Sequence, residues 1–257
     1  PYLKPYQETI RHRLTKIVET ERCLTRGKMT LTEFASGHEY FGLHFDDSQW
    51  IFREWAPNAE KIYLIGDISE WQEKEQFALQ RIDENGVWEI RLPPSSLKHE
   101  DLYRLRIHWP GGMGDRIPAY AKRVVQDPET LIFNAQVWWP ESPYRWRCRN
   151  FCRPDEAILI YEAHIGMAQE EEKIGTYKEF TAKVLPRIIK SGYNTLQLMA
   201  IQEHPYYGSF GYQVSSFFAA SSRFGTPDDL KALIDAAHMA GLSVFMDIIH
   251  SHAVSNE

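Results

Sequence analysis

The hydrophobic period of this chain changes twice, and that double switch restricts it to a composite fold. Near the start, Ile10, Leu14, Ile17 and Val18 recur at helical spacing and Gly27 is a stop, which predicts an amphipathic helix packed on the rest, in a leading helical segment of residues 1–36. From about Tyr40 the period becomes two. Trp50 to Trp55, Lys61 to Ile65, Val87 to Leu92 and Leu102 to Trp109 read as strands. Turn signals separate them at Pro57-Asn58, Gly66-Asp67, Asn85-Gly86, Pro93-Pro94 and Gly111-Gly112. Short strands with frequent turns predict an immunoglobulin-like β-sandwich over residues 37–139. Residues 140–156, rich in Pro and Arg and without a period, read as a linker.

From residue 157 strands alternate with helices. Ile158 to Ile165, Thr195 to Ile201 and Ser243 to Ile249 read as apolar strands. Tyr177 to Lys190 has helical spacing through Phe180, Val184 and Ile188, and Pro186 should kink or shorten that helix. Thr226-Pro227-Asp228-Asp229 is a helix start, with a capping Thr, Pro in the first turn and acids at the positive end of the dipole. Leu230, Leu233, Ile234 and Ala237 form the buried face, and Gly241 ends the helix. This order predicts parallel βαβ units, so the fold class is α/β plus all-β. A complete (β/α)8 TIM barrel takes roughly 250 residues. Residues 157–257 are therefore expected to be the N-terminal part of such a barrel, with the remainder outside this sequence.

Bulk properties narrow the function classes. A formal charge of −6 argues against a polyanionic partner, so no nucleic acid is expected. No 18-residue apolar run exists, so no membrane span is expected, and no signal peptide is visible. Cys23, Cys148 and Cys152 are an odd set of 3 that fits a reducing compartment. Cys148 and Cys152 could be metal ligands, but no second pair at finger-like spacing accompanies them. The expectation is a cytoplasmic monomer without metal or organic cofactor. Aromatics reach 13%, with 8 Trp, a supply suited to stacking on flat sugar rings as well as to core packing.

Two polar clusters could carry chemistry. Asp247-Ile248-Ile249-His250-Ser251-His252 follows the third parallel strand, at the carboxyl end where barrel enzymes build their sites. Asp247 in an apolar strand needs a partner. A satisfied structural Asp with loop histidines, or a metal through His250 and His252 with further ligands, would also explain it. Glu203-His204-Pro205-Tyr206-Tyr207-Gly208-Ser209-Phe210-Gly211-Tyr212 follows the second strand, and is either a functional aromatic loop or a hydrophobic plug. In the sandwich, Trp55 lies on strand alternation and is open to a core reading. Trp71 follows a turn among Glu and Gln, where exposure, and hence a ligand, is expected.

Taken together, "YEAHIGM" at Tyr161 to Met167, "YNTLQLMAI" at Tyr193 to Ile201, "YYGSFGYQVSSFFAASSRFGTPDDL" at Tyr206 to Leu230 and "DIIHSHA" at Asp247 to Ala253 are specific strings. The chain resembles, over essentially its whole length, the α-1,4-glucan branching enzymes of glycoside hydrolase family 13, and its sandwich resembles carbohydrate-binding module family 48. The resemblance implies cleavage of an α-1,4-glucan and transfer of the chain to a 6-hydroxyl, by a retaining double displacement, in glycogen or starch biosynthesis. It implies that Tyr212 stacks beneath the sugar at the cleavage point, that His252 bonds that sugar's 6-hydroxyl, and that Asp247 orders the site. Gly208, Ser209, Phe210 and Gly211 would form part of a glucan-contacting wall. Trp55, Ala56, Pro57, Trp71 and the turn Asp83, Glu84, Asn85 and Gly86 would form a remote oligosaccharide groove. The nucleophilic Asp, the acid Glu and a third Asp come in this family from strands four, five and seven, so these residues alone are expected to be inactive. A debranching or trehalose-releasing relative, and a non-catalytic glucan-binding protein, are the competing readings.

Overall fold

The apolar periodicity at the start of the chain does form a helix. The computed structural model describes residues 2–153 and 155–254. Pro1, Pro154 and Ser255 to Glu257 lie outside the described residues, and with them the outer ends of the leading and last predicted segments and one linker position. α1 (Gln7–Thr25) is followed by α2 (Leu31–Phe34), held by a capping box between Thr30 and Glu33, and α3 (Gly37–Tyr40). α1 ends where Arg26 turns left-handed, one residue before the predicted Gly27 stop. Within the first compact unit Leu14, Ile17 and Val18 are 59%, 62% and 56% exposed. The four-residue α2 is too short to cover them. This first compact unit runs to Phe41, five residues beyond the predicted boundary, because α3 belongs to it.

The second unit begins at Gly42. Its first part is two antiparallel sheets. One has the order β1-β2-β5-β4, built from β1 (Gly42–Phe45), β2 (Trp50–Trp55), β4 (Gln80–Arg81) and β5 (Val87–Leu92). The other runs β3-β6-β9-β8, from β3 (Lys61–Gly66), β6 (Leu102–Trp109), β8 (Val124–Gln126) and β9 (Phe133–Gln136), with β7 (Gly112–Arg116) also paired to β6. Alternate residues of each sheet face inward, as a period of two requires. Phe52, Ile62, Leu64, Leu105 and Val124 are almost completely buried in one shared core.

The second part is a parallel sheet, β10 (Ile160–Ala163), β11 (Thr195–Leu198) and β14 (Ser243–Met246), in the order β10-β11-β14. Leu196 and Leu198 face a helical layer with Phe180, Val184, Ile188, Leu233 and Ala237. That layer holds a continuous helical run of α4 (Tyr177–Glu179), a π turn (Phe180–Val184) and α5 (Leu185–Lys190), and then α6 (Pro227–Met239). Pro186 neither breaks nor shortens the run. The wider π turn just before it accommodates the residue that lacks an N–H and crowds the preceding turn. Between β11 and β14 a hairpin of β12 (Gln202–Glu203) and β13 (Ser216–Ala220) branches off.

The sandwich, the predicted linker and the parallel sheet fall within a single compact unit. Asp235 on α6 explains how the aperiodic stretch is held. Its fully buried carboxylate accepts hydrogen bonds from the Tyr144 hydroxyl at 2.8 Å, the Cys148 amide at 2.8 Å, and the amide and Nε of Arg147 at 3.1 and 3.0 Å. Those donors outweigh the opposing cost of burial and hold the carboxyl far below the usual range. Phe151 stacks on His238 of the same helix at 4.1 Å. Asp235→Ala removes the shared acceptor of the Arg147 and Cys148 amides and the Tyr144 hydroxyl and should cost on the order of 2–3 kcal/mol in urea unfolding at pH 7. Because the folded pKa is depressed, the Asp235 contribution is present above the unfolded pKa of about 4 and is lost as pH falls below it. The difference between variant and parent should therefore shrink on acidification.

Candidate functional site

The parallel register sets polar side chains side by side on the sheet face opposite the helices. Glu162 on β10 pairs with Gln197 on β11, whose partner on β14 is Phe245, and Asp247 lies just past the end of β14 on the same face as Phe245. Gln197 Nε2 donates to Glu162 Oε1 at 3.0 Å and to Asp247 Oδ1 at 2.9 Å. The second oxygen of Asp247 accepts from the Tyr212 hydroxyl at 3.0 Å. Burial, then the bond to this carboxylate, raises the Tyr212 pKa, so its hydroxyl stays a donor. His252 is brought alongside through its backbone: Val214 N–H donates to the His252 carbonyl at 3.0 Å, two residues beyond Tyr212. The exposed His252 ring lies 2.8 Å from the Ser251 hydroxyl through Nδ1. Gln202 ties the same loop down by accepting from the Ile249 amide.

Tyr212 reaches this position because the preceding loop is tightly folded. Gly211 has φ +88°, and a Cβ there would fall 1.9 Å from the Ala200 carbonyl oxygen, so only glycine fits. A 3-10 turn over Tyr207–Ser209 leads into it, with the Ser209 hydroxyl bonded to the Tyr206 carbonyl. Gly208 and Phe210 are exposed. The Glu203 carboxylate, wholly buried, anchors the loop base by accepting from the Ser222 amide at 2.7 Å, the His204 amide at 3.1 Å and the Ser221 hydroxyl at 3.2 Å.

A separate cluster forms at one end of the sandwich. The Trp55 ring, at the end of β2, is 58% exposed, and its indole N–H donates to the Asn85 carbonyl at 2.8 Å. Gly86, at φ +92°, presses against Pro57, where a Cβ would come within 2.3 Å of the Pro57 Cα. Trp88 donates to the Ala56 carbonyl, and Arg81 bridges the Asp83 and Glu84 carbonyls. Asp83 closes the turn by accepting from the Val87 amide at 2.8 Å, the main cause of its lowered pKa. Trp55, Ala56 and Pro57 thus meet the turn Asp83 to Gly86. Trp71 does not join them. It sits half-buried in the loop after β3, on the other sheet, at φ +62° with its amide bonded to the Gly66 carbonyl.

A sandwich with an exposed indole beside a turn, leading into parallel strands with polar groups at their carboxyl ends, has matches among known families. Residues 40–128 match carbohydrate-binding module 48 (isoamylase N-terminal domain), and residues 167–257 match the alpha-amylase catalytic domain. The two matched segments correspond to the sandwich and to most of the parallel-sheet part. All of it is similar to 1,4-alpha-glucan-branching enzymes, at 42% identity to those of both Dictyostelium discoideum and Solanum tuberosum. It spans 38% of the first and 30% of the second. Among solved structures, a pullulanase from Bacillus acidopullulyticus aligns over 84% of this chain and 30% of its own, with a TM-score of 0.68 at 19% identity, a likeness of fold.

Within the amylase-type segment, sequence reasoning singled out Asp247, Tyr212 and His252 but missed Gln197 and Glu162, which complete the network. The signal was available: Gln197 is a polar residue between Leu196 and Leu198, the same interruption that drew attention to Asp247. Also missed was His164, which packs near His204 of the second cluster. His164 is 6% exposed, ringed edge-to-face by Tyr207, Phe210 and Phe224, and neither of its ring nitrogens has a partner among the described residues. His204 is fully buried with one ring nitrogen 2.9 Å from the Gln202 carbonyl. Burial lowers both pKa values, and their proximity lowers that of His164 further. A histidine whose folded pKa is depressed loses its contribution to stability as pH falls below the unfolded value of about 6.5. The unfolding midpoint should therefore drop between pH 7 and pH 5. His164→Phe should leave it unchanged at pH 7 and flatten that decline, as read by circular dichroism melts.

Proposed function

We propose that this chain supplies the glucan-binding module and one wall of the substrate cleft of a 1,4-alpha-glucan-branching enzyme. The observation that carries the reading is the Tyr212 hydroxyl bonded to Asp247 at the strand ends, with the His252 segment paired alongside. An aromatic ring bonded to a carboxylate, with the His252 segment paired alongside, suits a glucose unit, whose C–H face stacks and whose hydroxyls need donors and acceptors. Asp247 keeps Tyr212 in place, and the Gln197 bridge to Glu162 keeps Asp247 oriented. In the proposed reaction a carboxylate nucleophile forms a glycosyl-enzyme and a glucan 6-hydroxyl displaces it, giving an α-1,6 branch. The nucleophile and the acid belong to the part of the enzyme beyond these residues, in keeping with the share of the relatives that the chain spans. The free thiols Cys23, Cys148 and Cys152 support a cytoplasmic setting, and the formal charge of −6 a neutral rather than polyanionic ligand.

The purified 257-residue chain should leave the iodine stain of amylose unchanged, whereas the longer protein that contains it should shift the stain toward that of a branched polymer. A stain shift by the chain alone refutes the assignment of the chemistry to residues beyond it, and no shift by the longer protein refutes branching. On the module, Trp55→Ala should weaken retention on a glycogen affinity gel by roughly tenfold or more, the loss expected for an exposed stacking ring, with the unfolding midpoint little changed. Trp71→Ala should leave retention intact.

A further inference from the structure

At the opposite end of β2 from Trp55 lies a second aromatic cleft. Phe45, Trp50 and Trp139 pack on one another with ring centroids 5.0, 5.2 and 5.4 Å apart and form one wall. Tyr120, Lys122 and Gln136 line the other side of a cavity of ≈ 280 Å³. That volume is near the lower end of the roughly 300–1,000 Å³ usual for small-ligand sites. Trp50 is buried at the centre of the aromatic trio and fixes the tilt of its neighbours, while Trp139 is 50% exposed and offers a ring to solvent. Gln136 is immobilised, accepting from Arg123 Nε and donating to the Glu100 carbonyl. Tyr120 is held by stacking on Phe218 at 4.5 Å. Lys122 is exposed, and its ammonium has no hydrogen-bond or ion-pair partner among the described residues. A preorganised aromatic platform beside an uncommitted donor meets the requirements of a sugar ring at small entropic cost. A single cation gives no basis for a polyanion.

We propose that this cleft is a second α-glucan subsite, in which a glucose unit of a malto-oligosaccharide stacks on Trp139 and its hydroxyls accept from Lys122. The inference rests on the glucan reading above and adds a site to it. Trp50 and Trp55 are five residues apart, so their side chains leave opposite faces of β2 at positions separated by roughly 17 Å. The two rings therefore stand apart, on opposite faces of the strand.

Calorimetric titration of the 257-residue chain with maltoheptaose tests this. The parent should take two molecules per chain, Trp55→Ala and Trp139→Ala one each, and the double variant none. Because Trp139 also packs on Phe45 and Trp50, Lys122→Met provides a variant free of packing loss. In the Trp55→Ala background it should weaken the remaining binding by roughly tenfold at an unchanged unfolding midpoint. One molecule bound by the parent and none by Trp55→Ala would overturn the second subsite while leaving the glucan reading intact. So would a full affinity for the remaining site in Trp55→Ala/Lys122→Met. No maltoheptaose bound by the parent would remove the glucan reading itself.

Discussion

The in-register pairing of the parallel strands β10, β11 and β14 is the constraint on which the candidate site depends. It sets Glu162 opposite Gln197 and Gln197 opposite Phe245, so that Asp247, two residues further on the same face, comes within reach and a single carboxamide spans two carboxylates. A slip of one residue on any strand would send these groups into the apolar helical layer and bring Leu196 or Leu198 to the open face. The helices fix the register in turn, because Leu196 and Leu198 are completely buried only in the observed alignment. Packing on one face therefore determines the chemistry available on the other.

The module is governed by close backbone approach. Gly86 and Gly211 are in different domains of the sequence reading, yet both allow a loop to lie directly on a neighbouring main chain, Pro57 in one case and Ala200 in the other. In each case the benefit is placement of an aromatic side chain, Trp55 or Tyr212, that local propensity alone would leave free to wander. Rigid rings lose little freedom on binding, which suits recognition of a neutral ligand that offers few strong contacts.

Much of this was legible in the sequence because it is periodic. The strands of the sandwich, the capped helix at Thr226 and the parallel βαβ order all follow from spacing and turn residues. What spacing could not reveal depended on partners distant along the chain. Pro186 predicts a kinked or shortened helix, but the π turn just before it keeps the run continuous to Lys190. Trp55 reads as core by alternation, yet it terminates β2 and is exposed, whereas Trp71, expected in solvent, is half-buried. Strand alternation says nothing about where a strand stops. The aperiodic stretch before Ile158 reads as a free linker because nothing local shows that Asp235, some ninety residues on, accepts its amides.

That clasp has a consequence for how the protein would respond to cutting. Arg149, followed by Asn150, is a cleavage site for trypsin-like proteases, and the residues on either side of it have no regular secondary structure. The segment upstream of Arg149 is bonded to α6 through Asp235, and the sandwich also reaches across through Arg123 to the Gly225 carbonyl. A nick there would produce two polypeptides on a denaturing gel and a single particle on a sizing column. Peptide-bond continuity at that point contributes little to cohesion, and integrity judged by gel alone would mislead.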